Sequence, residues 1–143
     1  MNHACKGFTL VEILIVVIIL AVLATVVIPE FSDASDSARE SAVRTDLYSI
    51  RSQIEIYKLQ HLNTFPSKQG FVAQMTGKTH PDGTAGGDLG PYLLKFPANP
   101  YNNDATVICK NSDAQLGDGS SGWHYNETTG GFHASDSPEH ATW

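Results

Sequence analysis

A carboxylate at the head of an apolar block is the group in this chain whose position most clearly implies chemistry. Glu12 stands directly before a run from Ile13 to Ile28 that is made of Ile, Leu and Val, apart from two alanines and one threonine. Each Ile, Leu or Val contributes about −0.3 to −0.6 kcal/mol to membrane insertion, which gives about −4 to −8 kcal/mol for the run. A carboxylate costs on the order of 2.5–3.5 kcal/mol at the bilayer centre and less near an end. The insertion free energy of the run therefore exceeds the cost of the carboxylate, and Glu12 becomes a candidate functional group that needs a partner.

The apolar segment has the length of a membrane-spanning helix. Residues 8–28 supply the roughly 20 residues that cross a bilayer, and Pro29 follows them. A secretory signal would place a short apolar core before a small-x-small cleavage site, whereas here Gly7 precedes the core. A plain signal anchor would have no use for Glu12. These two remain as alternatives, and we predict a transmembrane helix over residues 8–30.

The charges on either side of the segment predict its orientation. Lys6 precedes the span, while three acidic residues follow it before the first downstream base, Arg39. Only basic residues count in the positive-inside rule, and the near one lies on the N-terminal side. We therefore expect the N-terminus in the cytoplasm and the remainder of the chain exported.

The sequence lacks the motifs of common catalytic and metal sites. No phosphate-binding loop, nucleophile elbow or pair of catalytic carboxylates occurs, and His124, His133 and His140 do not have metal-ligand spacing. A formal charge of −6 gives nonspecific nucleic-acid binding no electrostatic support. We predict neither an enzyme nor a nucleic-acid-binding protein.

Residues 31–62 are predicted to continue as an amphipathic helix. Positions three and four apart form one apolar stripe: Val43, Leu47, Ile50, Ile54, Tyr57 and His61. Glu40 with Arg44, and Arg51 with Glu55, stand four apart, so we expect two ion pairs on the exposed face. The stripe predicts packing against a small domain.

Pro29 leaves the number of helices open. A proline ends or kinks a helix, and Ser37-x-x-Glu40 fits a capping box that would start a second one. The sequence alone permits two helices or one long helix with a kink at Pro29.

Residues 63–143 are predicted to form one small, loop-rich domain. An apolar patch near Phe71 indicates a short helix, and residues 77–90 indicate a surface loop. Strands are predicted over 105–110, 122–126 and 131–135, with a hairpin turn between the last two. Their inward side chains are expected to cover the helix stripe: Val107, Cys109, Trp123, Tyr125 and Phe132.

The N-terminal segment resembles that of type IV pilins and of the pseudopilins of type II secretion. The resemblance rests on a short basic leader, on Pro29 and on the run Gly7-Phe8-Thr9-Leu10-Val11-Glu12. It implies that a prepilin peptidase cleaves between Gly7 and Phe8, so that residues 1–7 are a leader, and that the new amino group of Phe8 is N-methylated. It also favours one long, gently bent helix. Glu12 of one subunit would then pair with the Phe8 amine of its neighbour and set the axial register.

The remainder looks like the G-type major pseudopilins, with one departure. Pro97, the run 99–101 and an aromatic strand at 122–125 fall in that family's order, although Asn99 stands where the family commonly has Asp. The resemblance implies an α+β, pilin-like fold: a long N-terminal helix packed on a small C-terminal antiparallel β-sheet. Those pseudopilins hold a structural calcium in a C-terminal loop, so the candidate ligands in loop 111–122 are Asp113, Asp118 and Ser120. A solvated acidic turn is the alternative.

Together these features predict a structural filament subunit of the cytoplasmic membrane, assembled as a helical homopolymer for type II protein secretion. The resemblance implies further partners: a prepilin peptidase, an assembly ATPase, a membrane platform protein and minor pseudopilins. A surface type IV pilus used in adhesion, motility or DNA uptake is the first alternative. A membrane-tethered binding domain that never polymerises is the second. The filament would lie in the periplasm or at the cell surface.

Overall fold

One helix of 51 residues, α1 (Leu10–Gln60), dominates the computed structural model, which describes residues 7–114 and 116–143. The backbone is helical through position 29 and through Ser37, so the chain forms one helix here and no new helix starts at a capping box. A kink at Pro29 stays a prediction. Most of the predicted leader, including Cys5 and Lys6, lies outside the described residues.

The chain separates into two compact units, and α1 contributes to both. The first unit ends at Ala38. In it, the large apolar side chains from Phe8 to Phe31 are 45–83 % exposed. By length and composition this part of α1 could cross a membrane. Such exposure of apolar side chains indicates an environment other than water.

The second unit, Arg39–Trp143, is a domain built around the back half of α1. All six residues of the predicted stripe are at most 2 % exposed, which confirms the stripe. The aromatic residues Trp123, Tyr125 and Phe132 are fully buried in the same core, and Val107 and Cys109 pack against it partly buried. The predicted cover of the stripe is therefore confirmed.

The sheet has three strands in the order β1 (Val107–Lys110), β2 (Trp123–Asn126) and β3 (Phe132–Ala134). The three predicted strands are confirmed, each with its ends trimmed by one or two residues. β2 pairs antiparallel with β3 but parallel with β1. The prediction of an antiparallel sheet was therefore wrong for the β1–β2 pair, because the 111–122 connection is long enough for the crossover that parallel strands require.

The predicted hairpin turn joins β2 to β3. The backbone amide of Gly130 donates to the Asn126 carbonyl over 2.8 Å, and Gly130 has a φ of +72°. A Cβ at this position would lie 2.2 Å from the ring of Phe65. Both the left-handed backbone and the close ring explain why the turn contains glycine.

Short elements complete the domain. The predicted short helix is α2 (Phe71–Thr76), which buries Phe71 and Met75. Residues 77–90 contain no helix or strand, as predicted, although Thr79 is buried and bridges to Ala85 and Leu89. A 3-10 turn, His140–Thr142, follows β3 and contacts it.

Of the two predicted ion pairs on α1, one is confirmed and the other is wrong. Arg44 Nε lies 2.9 Å from a carboxylate oxygen of Glu40. Arg51 instead donates to the main-chain carbonyls of Phe132, at 2.9 Å, and Trp143. Two partly buried main-chain oxygens hold the guanidinium better than an exposed carboxylate would, because exposed pairs contribute little.

Candidate assembly site

The first turn of α1 is closed by a reciprocal pair of hydrogen bonds between Thr9 and Glu12. The backbone amide of Glu12 donates to Thr9 Oγ1 over 3.2 Å. In return, a carboxylate oxygen of Glu12 accepts from the backbone amide of Thr9 at 3.3 Å and from its hydroxyl at 3.4 Å. Thr9 is thus the N-cap and Glu12 the third helical residue of a capping box.

This geometry gives Glu12 a local role at the start of α1. Locally, the carboxylate satisfies helix N-terminal donors and lies where the helix dipole favours negative charge. The two groups of Thr9 that the carboxylate contacts are neutral, so these contacts bring no opposite charge to it. The apolar run predicted a role for Glu12 but not for Thr9, although Thr-x-x-Glu before such a run is a recognisable capping signal.

The predicted cleavage bond is sterically accessible. Phe8 is 78 % exposed, and a Cβ placed on Gly7 would meet no atom within 4 Å. A peptidase would therefore meet no packed side chain there. Cleavage between Gly7 and Phe8, and methylation of Phe8, stay predictions.

The polar residue within the apolar block is satisfied by its own helix. Thr25 Oγ1 donates to the Val22 carbonyl over 2.7 Å. A hydroxyl bonded in this way requires neither water nor a second helix, which suits an apolar surrounding. The apolar block from Ile13 to Ile28 therefore presents no polar side chain that needs a partner outside its own helix.

The three candidate calcium ligands make hydrogen bonds within the domain. Asp118 accepts from the hydroxyl and the amide of Ser120, at 2.6 and 3.0 Å, and these two bonds hold the pKa of Asp118 below its usual value. Asp113 accepts from the side-chain amide of Asn126 at 2.8 Å. Among residues 7–114 and 116–143 there is no group of three or more His, Cys, Asp or Glu placed to hold a metal. Calcium binding stays a prediction.

The departure at Asn99 has a structural reason. Asn99 is fully buried, and its side-chain amide donates to the Gly122 carbonyl at 3.0 Å and to Asp136 at 2.7 Å. Its side-chain oxygen accepts from the amide of Tyr101 at 2.9 Å. An aspartate could not donate these two bonds and would place its charge next to Asp136, so Asn fits this position.

The described histidines act as hydrogen-bonding residues. His124 is buried and donates from Nε2 to the Ser112 carbonyl at 3.1 Å, which ties loop 111–122 to β2. Burial lowers the pKa of His124. His140 pairs with Asp136 beside Asn99.

Two family models match the chain. The one described as "Prokaryotic N-terminal methylation motif" matches residues 2–28. The one described as "Type II secretion system (T2SS), protein G" matches residues 30–132, well over half of the chain. The first covers the capping box and the apolar block, and the second covers the domain up to Phe132, the first residue of β3.

Several curated relatives carry the name "Type II secretion system core protein G". One from Escherichia coli K12 is 28 % identical over 103 residues, covering 72 % of this chain and 71 % of the relative. One from Pseudomonas aeruginosa is 33 % identical over 102 residues, covering 68 % and 69 %. One from Vibrio cholerae is 32 % identical over 98 residues, covering 68 % and 66 %. No solved structure matches the chain significantly.

These matches follow the division of the chain seen in the structure. The first falls on the segment with the capped carboxylate and the apolar helix, and the second falls mainly on the small α+β domain. The methylation motif coincides with the segment that holds Phe8 and Glu12. The chain therefore belongs to the type II secretion system protein G family, whose members are structural pseudopilus subunits and not enzymes.

Proposed function

We propose that subunits of this pseudopilin join when the carboxylate of Glu12 pairs with the amino group of Phe8 on a neighbouring copy. The observation that carries the proposal is the capping box, in which the hydrogen-bond partners of the carboxylate within residues 7–114 and 116–143 are the neutral amide and hydroxyl of Thr9. The family assignment favours a secretion pseudopilus over a surface pilus or a tethered monomer.

Burial against other helices makes the retained charge costly. When apolar helices pack side by side, water leaves the first turn of α1, and an unpaired buried carboxylate costs several kcal/mol. A positive amine at Phe8 of the next subunit, created by cleavage after Gly7, would offset that cost. Because the two charges meet only at one axial offset, pairing would also fix the register of the homopolymer.

The same proposal places the subunit in the cell and names its partners. The exposed apolar part of α1 anchors it in the cytoplasmic membrane, with the domain on the exported side. Prepilin peptidase removes residues 1–7, and Phe8 is then methylated. An assembly ATPase and a membrane platform protein supply the work of extraction, and minor pseudopilins join the filament.

We also propose a structural calcium in loop 111–122, with side-chain oxygens from Asp113, Asp118 and Ser120. The exposed carboxylate of Asp118, with its lowered pKa, supports this. Calcium takes six to eight oxygens, so main-chain carbonyls and water would complete the shell. The expected result is a higher unfolding temperature of the full chain with millimolar CaCl₂ than with EGTA. Asp118→Asn should remove that difference, and no difference in the wild type would contradict the site.

Two substitutions separate the charge of Glu12 from its capping role. Glu12→Gln keeps a side chain that completes the capping box but removes the charge, whereas Thr9→Ala removes the cap and keeps the charge. We expect Glu12→Gln to abolish filaments and Thr9→Ala to retain them, as scored by electron microscopy of sheared cells. Filaments of Glu12→Gln at wild-type abundance would contradict the pairing.

Mass spectrometry of the native N-terminus tests processing independently. The expected species begins at Phe8 and carries one added methyl group. An intact Met1 on membrane-inserted protein would contradict cleavage. The measurement also validates the filament assay, because a subunit that is not cleaved has no amine at Phe8.

A further inference from the structure

We propose that a cavity at the C-terminal end of α1 binds a neutral, polyhydroxylated ring of monosaccharide size, such as the terminal sugar of a glycan. The cavity lies wholly in the domain and has a volume of about 270 Å³. It lies between the end of α1, residues 64–67, α2 and the loop at Gly83. Sites for drug-sized ligands begin at about 300 Å³, so this one accommodates a single small ring.

The hydroxyl of Tyr57 opens into the cavity without a partner. Tyr57 is 2 % exposed and lines the cavity, and its hydroxyl makes no hydrogen bond within the described residues. Every fully buried side-chain polar atom among those residues has a hydrogen-bond partner. Because the Tyr57 hydroxyl has none, it is not fully buried, and solvent reaches it through the cavity. It faces Gly83, where a Cβ would lie 3.0 Å from the oxygen. A buried hydroxyl usually has a hydrogen-bond partner, and here a ligand can supply it.

The Tyr57 ring is held in place before any ligand arrives. It stacks on the buried His61 ring with centroids 3.6 Å apart and planes 2° from parallel. His61 is itself fixed by the Tyr57 carbonyl at 2.8 Å and by Thr79 Oγ1 at 2.9 Å. A donor fixed in this way loses little entropy when a ligand accepts its hydrogen bond.

Most other polar side chains around the cavity are already engaged. Gln74 donates to the Gly83 carbonyl at 3.0 Å and accepts from the amide of Ser67 at 2.8 Å. The hydroxyl of Ser67 also donates to Gln74. Specific contact with a ligand therefore falls to Tyr57 and to the one acidic side chain of the lining, Asp82, with the exposed hydroxyl of Thr64 at the rim.

Tyr57 and Asp82 offer complementary hydrogen bonds. Bonds from the hydroxyl and the amide of Thr84 keep the pKa of Asp82 low, so the carboxylate only accepts. Burial, with smaller contributions from Tyr92 and Asp82, raises the pKa of Tyr57 to about 12, so the phenol keeps its proton and donates. A ligand must then accept from one group and donate to the other, which alcohol hydroxyls do.

The surrounding charges select a neutral ligand. Asp82 repels an anion. A cationic ligand is disfavoured because Lys58 already places a positive charge at the cavity, with its Nζ 4.2 Å from the centroid of the lining ring of Phe65. His80, from the same loop as Asp82, also interacts electrostatically with that carboxylate and lowers its pKa. The rings of Phe65 and Pro81 supply apolar walls against which the carbon face of a sugar ring packs.

Ligand-observed saturation-transfer NMR on the full chain tests this site. The protein is held in lipid nanodiscs or a zwitterionic detergent, because detergents with sugar headgroups would compete. The probes are the methyl glycosides of glucose, galactose and N-acetylglucosamine, with n-butylammonium and acetate as charged comparisons. We expect saturable transfer to at least one glycoside, and binding about tenfold weaker in Tyr57→Phe, since one hydrogen bond is lost.

Tyr48→Phe is the matched control, because Tyr48 is 76 % exposed on α1 and does not line the cavity. It should bind like the wild type. Tyr57→Phe should also keep the wild-type unfolding midpoint, since the hydroxyl it removes makes no hydrogen bond among the described residues of the domain. Three results would overturn the proposal: no saturable glycoside binding, equal binding by Tyr57→Phe, or tighter binding of n-butylammonium. Glu12→Gln should bind the glycoside normally, so failure of the assembly proposal would not affect this test.

Discussion

The two halves of α1 share one backbone helix but have opposite surroundings. Up to Phe31 the large apolar side chains are 45–83 % exposed, whereas the stripe from Val43 to His61 is at most 2 % exposed. The first half is apolar around its whole circumference, and the second is apolar along one line with charges elsewhere. A helix of the first kind needs a membrane or other helices, and one of the second kind needs a domain.

The difference teaches that helix continuity and hydrophobic burial are separate properties of this chain. The domain half gains its stability within the subunit. The exposed half can gain its stability only from lipid or from other copies, which is what a filament subunit requires. Substitutions in the two halves should therefore affect different measurements.

The largest expected effect comes from the domain core. Phe132→Ala removes a fully buried ring that stacks near Trp123, with centroids 5.6 Å apart. The lost burial and the cavity should lower the free energy of unfolding by about 3–5 kcal/mol. Urea denaturation followed by tryptophan fluorescence measures it.

Phe31→Ala is the matched control in the other half. Phe31 is 72 % exposed, so its removal should leave urea denaturation of the domain within about 0.5 kcal/mol of the wild type. A large loss of domain stability in Phe31→Ala would mean that the two halves are not energetically separate.

Two arginines sharpen the comparison within the domain half. Arg51→Met removes donors to the Phe132 and Trp143 carbonyls and should lower the free energy of unfolding by about 1.5–3 kcal/mol. Arg44→Met removes an exposed pair with Glu40 and a ring contact with Trp143, and should cost less than about 1 kcal/mol. Equal effects in the same urea assay would contradict the structural difference.

A smaller and local effect is expected at the start of the exposed half. Thr9→Ala removes the acceptor for the Glu12 amide and should destabilise the first turn by about 0.5–2 kcal/mol. Hydrogen exchange of the Glu12 amide should accelerate accordingly, while domain unfolding stays unchanged. Thr25→Ala is the control, because its hydroxyl bonds within the helix and should not alter that amide.

The smallest effect is a pH dependence confined to the domain. Burial lowers the pKa of His124 from 6.5. The hydrogen bond to the Ser112 carbonyl opposes this shift, as does Asp113, whereas Lys110 and His133 add to it. The unfolded chain therefore binds the proton first, so the free energy of unfolding falls as the pH drops below about 6.5 and levels off below the folded pKa. Urea denaturation between pH 7 and 5 measures the slope. His124→Gln should flatten it, and the exposed His80→Gln should not.

Sequence periodicity predicted the parts of the fold that depend on burial. The stripe on α1 repeats at three and four residues, and the strands carry aromatic residues between turn signals, so both were located within two residues. Glu12 was found for a similar reason, since a charge beside an apolar run is conspicuous. Such features depend on side-chain polarity, which a sequence displays directly.

Features that depend on distant partners could not be predicted. The carbonyls that hold Arg51 belong to residues 81 and 92 positions away. The parallel pairing of β1 with β2 depends on the path of the 111–122 connection, and the need for an amide at Asn99 depends on Gly122 and Asp136. Thr9 is the exception, because its capping signal was local and was overlooked.

The order of α1, β2 and β3 along the chain has a consequence for biogenesis. A ribosome makes the α1 stripe long before it makes the strands that cover it, and parallel pairing with β1 must wait for β2. Each nascent subunit therefore passes through an interval in which the apolar stripe of α1 is not yet covered by β2 and β3. Aggregation competes with folding during that interval. Fast completion of translation or a holding chaperone would shorten or shield that interval.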